Sequence, residues 1–233
     1  MNFFISKKTF FLLISTFVLS HCSAFYQTKQ LVFSTRNSAF YKIAKDEVKN
    51  RDLIKENFIH PYNFQAEKIT DILGNLRFKK YTRIGNLQDF IFHLNELSTL
   101  SADLKQVFEN LKPTDCIMVV SMYDHTQSVI SNNKRTTYLM WIDSKGLNLV
   151  FGEIQTDVPR DTSANFFEWT QVAQIPLAII ADENEIEQDG EQNFVFNKVK
   201  GYSNKKWLIF PLDDLSKYQL KDRKFNSGKR NEN

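Results

Sequence analysis

Apolar positions along this chain follow two kinds of spacing. In "NFQAEKITDILGNL", Ile69, Ile72, Leu73 and Leu76 recur every three or four residues, the stripe of a helix with one buried face. Asn63 is placed to cap its start. "NLQDFIFHLNEL" repeats the stripe at Leu87, Phe90, Ile91, Leu94 and Leu97. Asn86 stands at its cap and Asp89 in its first turn, where the helix dipole favours a carboxylate. "SADLKQVFENL" carries the stripe at Leu104, Val107, Phe108 and Leu111, with Ser101 as cap and Pro113 just past the end. A looser series, Phe40, Ile43, Val48 and Leu53, predicts an exposed helix over "SAFYKIAKDEVKNRDLIKEN". Short strands are expected at "LVFST" and "RFKKYTRIG".

The second half changes character. "CIMVVSMY" is a continuous apolar run bounded by polar residues, the mark of a central strand. "RTTYLMWI" and "LNLVFGEI" flank "DSKG", and a turn ending in Gly between two β-rich runs predicts a hairpin. In "LNLVF", alternation puts Leu147, Leu149 and Phe151 on one face, towards the helices, and Asn148 and Val150 on the other. "QIPLAII", "NFVFNKV" and "KKWLIFPL" add strands, "YSNK" a turn and "PLDDLSKYQL" a short terminal helix. The expected fold is α+β, with helices of the first half packed on a mostly antiparallel sheet from the second.

Composition supports a packed domain: Phe is frequent at 21, while Gly and Pro are scarce at 7 and 5. The net charge of +3 is too weak to point to nucleic acid, and no nucleic-acid partner is expected. Only two cysteines occur. Cys116, inside the apolar run, reads as a small buried hydrophobe, and Trp141, Trp169 and Trp207 read as core.

The other cysteine, Cys22, closes the most apolar segment. Lys7 and Lys8 form a positive n-region, Thr9 to Leu19 an apolar run, and Ser20, Cys22, Ser23 and Ala24 supply small residues. That is the layout of a secretory signal peptide, and the run is short for a membrane span. Cleavage before Cys22 and cleavage after Ala24 both fit. "LSHC" resembles the lipobox of bacterial envelope lipoproteins, of spirochaete type, with His21 where Gly, Ala or Ser usually stands. The resemblance covers about a tenth of the chain. It implies lipid on Cys22 and attachment to a membrane, with Ser23 favouring the outer over the inner membrane. Cleavage after Ala24 would instead release a periplasmic or secreted protein. The domains expected are then a signal peptide (1–21), a lipid-anchored tether (22–30), one globular α+β domain (31–220) and a basic flexible tail (221–233).

Candidate chemistry is sparse. The adjacent Asp124 and His125 in "YDHTQ" are the best general acid/base pair, with no matched nucleophile in the sequence pattern. His93, off its stripe, reads as solvated. The carboxylates of "ADENEIEQDGEQ" lack EF-hand spacing and read as a solvated loop, so no metal is expected. No phosphate loop or cofactor motif occurs, and no cofactor is expected. The chain is therefore expected to be a binding or assembly module of the cell envelope, with an envelope protein as its partner. An extracytoplasmic enzyme using Asp124 and His125 is the alternative.

Overall fold

The computed structural model describes residues 29–82, 85–124, 133–180, 184–188 and 193–223. Two antiparallel sheets and two long helices organise them. The strands are β1 (Gln30–Ser34), β2 (Ser38–Ala44), β3 (Arg77–Thr82), β4 (Gly85–Phe90), β5 (Asp115–Asp124), β6 (Asn133–Asp143), β7 (Gly146–Phe151), β8 (Thr156–Asp157), β9 (Asn184–Glu187), β10 (Val195–Val199) and β11 (Tyr202–Phe210). The helices are α1 (Ala66–Leu73), α2 (Leu94–Glu109), α3 (Arg160–Ser163) and α4 (Phe166–Trp169). The main sheet runs β1-β2-β5-β6-β7-β11-β10, with β8 pairing on β6, and the small sheet runs β4-β3-β9. The fold is α+β with antiparallel sheets. Four strands precede Leu94, so helices and strands are interleaved along the chain instead of being divided between its halves.

The β6–β7 hairpin lies mid-sheet as its pattern predicts. All six β7 residues are buried, because both faces of the sheet are covered. On one face Leu147, Leu149 and Phe151 join the apolar cluster that holds Ile69, Leu73, Leu97, Leu104 and Phe108 of the helices. On the other face Val150, Leu139, Trp141 and Trp207 join Val48, Ile54 and Phe58, and also Val158, Ile175 and Leu177. This second cover comes from segments 45–60 and 155–180, which contain only short turns, the two-residue strand β8 and four-residue helices. Continuous apolar strands need such double cover. Gly146 has φ 126°, and an added Cβ would lie 2.1 Å from the Phe210 carbonyl oxygen, so the turn demands glycine twice over.

Several sequence expectations change. "SAFYKIA" is strand β2, paired with β5 from Ser38 to Ala44. The 3.6-residue spacing there was coincidental, and alternation wins: Ala39, Tyr41 and Ile43 fall on one face and Phe40 on the other. "NLQDFIFHLNEL" splits into β4 and the first turn of α2, which then runs unbroken to Glu109. Asn86 is therefore a strand residue, and Ser101 is mid-helix, accepting from Thr70 Oγ1 at 2.8 Å. The N-cap of α2 is His93: its Nδ1 accepts from Asn95 N, while Glu96 Oε2 accepts from His93 N, each at 3.2 Å. Helix α1 starts at Ala66, with Gln65 and not Asn63 before it. "QIPLAII" forms no strand; Pro176 removes a ladder donor there, and Ile175 and Leu177 serve as cover. Tyr202 already belongs to β11, so the β10–β11 turn is at Lys200 and Gly201. The terminal helix is a single 3-10 turn, Leu215–Lys217.

Asn148 is the polar member of β7's inner residues. It is buried at 1% exposure, accepting from Trp207 Nε1 at 2.9 Å and donating to the Gly146 carbonyl at 3.2 Å. Cys116 is free, buried and donates to the Ile43 carbonyl, and burial pushes its thiol up to about 12. All three tryptophans are buried.

Candidate functional site

Strand β5 carries the chain from the core to a spacious cleft. From Cys116 to Val120 its side chains are apolar. From Ser121 polar side chains enter, and alternation sends Ser121 and Tyr123 towards the helices and Met122 and Asp124 towards the loop-covered face. Asp124 lines the cleft, as do Tyr123 and Asn133, the first residue of β6. His125 and Cys22 lie outside the described residues, so the Asp124–His125 pair is placed at only one of its two members.

The cleft holds about 870 Å³ and has three walls. The first is the β1–β2 turn, Thr35 to Asn37. Thr35 Oγ1 fixes it by accepting from Asn37 N at 3.2 Å and Ser38 N at 3.0 Å, and Met122 N donates to the Asn37 carbonyl at 2.8 Å. The second wall is the end of β5 and the start of β6. The third is the segment from Arg160 to Trp169. Pro159 opens α3, and the Asn165 side chain caps α4 by accepting from Phe167 N at 3.1 Å. Trp169 is buried beneath this wall, and its carbonyl accepts from Arg135 Nη1 at 2.9 Å. Arg135 also forks onto Glu153 at 2.5 and 2.8 Å, a bidentate geometry that fixes orientation. The walls are thus irregular segments pinned to a rigid sheet, the usual setting of binding sites.

Behind this end of the sheet lies a second polar cluster, on the helix side. Glu96 is buried, accepts a hydrogen bond from Ser121 Oγ, and completes the cap of α2. Burial pushes its carboxyl up to about 7, against the opposing pull of the Ser121 and His93 hydrogen bonds and the Arg223 charge. The Tyr138 hydroxyl is buried with no hydrogen-bond partner among the described residues, and burial together with the Glu96 charge raises its pKa well above the ordinary value. His93 stacks on Tyr123 with ring centres 5.1 Å apart. Burial and Arg223 lower the His93 pKa, and Asp89 opposes them. The histidine expected to be solvated is a cap joined to the sheet. Glu96, Ser121 and His93 do not line the cleft.

The acidic run is also placed in part. Asn184–Glu187 is strand β9, with Glu185 opposite Lys79 and Glu187 opposite Arg77. Opposite charges across a strand pair are favourable, so these carboxylates are paired strand residues and not a solvated loop. Asp182, Glu183, Asp189 and Glu191 lie outside the described residues. No group of three or more His, Cys, Asp or Glu side chains that could hold a metal occurs among the described residues. At the basic end, Lys221 N donates to Asn75 Oδ1 at 3.0 Å and Arg223 Nη1 to the Phe92 carbonyl at 2.6 Å. The first residues assigned to a flexible tail are therefore docked on the α1 end. No helix among the described residues is long and apolar enough to cross a membrane.

Apart from Trp169, read as core, sequence reasoning passed over the Arg160–Trp169 wall. Its one signal is turn chemistry, Pro159, Ser163 and Asn165 in "PRDTSANFFEW", which marks a structured loop without naming a role. No protein-family model, curated protein or solved structure matches the chain.

Proposed function

We propose that this protein is a lipid-anchored, extracytoplasmic binding module of the cell envelope, with the cleft at the end of β5 as its binding surface. The anchor follows from the leader: a basic n-region, an apolar run and Cys22 at the cleavage zone. Outer-membrane attachment is favoured by Ser23, and an envelope protein is the partner. The tether over residues 22–30 is short. Lys29 lies seven positions after Cys22, which at ~3.5 Å per position spans at most about 25 Å. The folded domain, assigned to residues 31–220, would then work close to the membrane surface.

The observation that carries the binding role is the cleft itself. It is wide, open to solvent and lined by both polar and aromatic side chains, the make-up of a recognition site. Asp124 in its lining supports a second reading, an extracytoplasmic enzyme using Asp124 and His125. Fractionation tests the anchor: Cys22→Ala should move the protein from the membrane to the soluble fraction. A variant that stays with the membrane would overturn the lipid anchor. Asp124→Asn separates the two roles, since a binding module keeps its ligand affinity within a few-fold and a general acid/base loses turnover by about 10² or more.

A further inference from the structure

The charges lining the cleft are unevenly satisfied. Elsewhere among the described residues each arginine is engaged. Arg51 pairs with Asp46 and Arg135 with Glu153, while Arg77 and Arg223 stack on Phe90. Arg36 and Arg160 are different. Both line the cleft, from two of its walls, and neither has an ion pair, side-chain hydrogen bond or ring contact among the described residues. Asp124, the one carboxylate of the lining, is not free. The lining thus carries two guanidinium groups against one carboxylate.

Both arginines hang from fixed backbone. Arg36 sits between Thr35 and Asn37 in the turn held by Thr35 Oγ1 and Met122 N. Arg160 opens α3 directly after Pro159, whose ring fixes its own φ. Such placement lowers the ordering cost of binding. A guanidinium offers a planar fork of donors that matches a carboxylate or a phosphate, and it stays charged throughout the physiological range. Beside the two forks lie the Asn37 and Asn133 amides, the Ser163 hydroxyl and the Phe166 ring.

We infer that the cleft is an anion site that takes a phosphate or carboxylate group between Arg36 and Arg160, with an attached apolar or ring portion resting against Phe166. The inference rests on the cleft being the binding surface and supplies its ligand class. A soluble anionic ligand and an anionic lipid headgroup share this chemistry, and the test separates them.

The experiment is a titration of the mature protein carrying its native N-terminus, followed by NMR of the arginine Nε–H and tryptophan indole resonances. The probes are inorganic phosphate, acetate, and vesicles of phosphatidylglycerol or phosphatidylcholine. Saturable shifts at Arg36 and Arg160 with phosphate or acetate assign a soluble anion. The same shifts with phosphatidylglycerol but not phosphatidylcholine vesicles assign a headgroup. Either result is expected to weaken at least tenfold in the Arg36→Gln, Arg160→Gln double variant, whose melting temperature should stay within about 2 °C because neither side chain packs in the core. No saturable shift with any anionic probe overturns the inference. So does binding that survives in the double variant. Failure of the wider reading looks different: Cys22→Ala retained in the membrane fraction removes the anchor without touching the arginine shifts. Phosphatidylcholine vesicles that shift the Trp169 indole equally in wild type and double variant keep the cleft as the binding surface while refuting its preference for anions.

Discussion

Leu149 and Asn148 are neighbours in β7, and their side chains enter different worlds. Leu149 meets α1 and α2, two helices with clear apolar stripes. Asn148 lies under segments 45–60 and 155–180, whose longest helix has four residues. Both side chains are fully buried. The helix-covered face is held by regular elements with their own hydrogen bonds. The loop-covered face has few: from Gln171 to Ile180 the backbone bonds outside helices and strands are Gln171 N to Glu168 O and Leu177 N to Lys49 O. A cover of that kind leaves space at its margin, and the cleft opens there, beside Met122 and Trp169. One face is the scaffold and the other is the working face, although both are core.

Three substitutions probe that division. Phe151→Ala on the helix face should cost the most, about 3–5 kcal/mol in chemical denaturation, because a fully buried ring leaves a cavity between stiff elements. A loss under about 1 kcal/mol would mean the helices close over the gap and are not a rigid layer.

The second concerns Glu96, which ties α2 to the sheet. Its folded pKa of about 7 is raised above the ordinary 4.5, so between these values the folded protein keeps a proton that the unfolded chain releases. Stability from this group is complete below about pH 4.5 and is lost as pH rises to about 7, by on the order of 3 kcal/mol. His60 acts the opposite way. Burial lowers it to about 4, with Asp115 opposing, so its protonation in the unfolded chain makes stability rise from about pH 4 to 6.5. Subtracting the Glu96→Gln profile from wild type cancels His60 and should expose the Glu96 slope. Parallel profiles would contradict a proton held at Glu96.

The third, Asn148→Ala, should cost about 1–3 kcal/mol, since it strands the buried Trp207 Nε1–H. Pairing it with Trp207→Phe in a double-mutant cycle should recover part of that loss. A neutral Asn148→Ala would mean that the loop-covered face is wetter than its burial implies.

The same division decides what could be read from sequence. The β6–β7 hairpin, the facing of Leu149 and Phe151, Gly146 and the α1 stripe were legible, because local periodicity and global packing agree there. The strand inside "SAFYKIAKDEVKNRDLIKEN", where a helix was expected, was illegible for a physical reason. Phe40 and Ile43 suit either period, and only the distant partner β5 decides between them. The split of "NLQDFIFHLNEL" turns on β3, another partner absent from the local pattern. The burial of Asn148 was not legible because its partner, Trp207, is 59 positions away. The cleft shares this character. Asp124 was found because Asp beside His is a recognisable chemical pair, whereas Arg36 and Arg160 meet only through the fold.

Hydrogen exchange on the intact protein, resolved to peptides, tests the central claim that the loop-covered face works independently of the scaffold. Amides of 171–180 should exchange by local opening, at least about 10² faster than those of α2 and β6, which should exchange near the global unfolding limit. Uniform protection of both covers, at one common rate, would contradict the account and make the two faces a single cooperative unit.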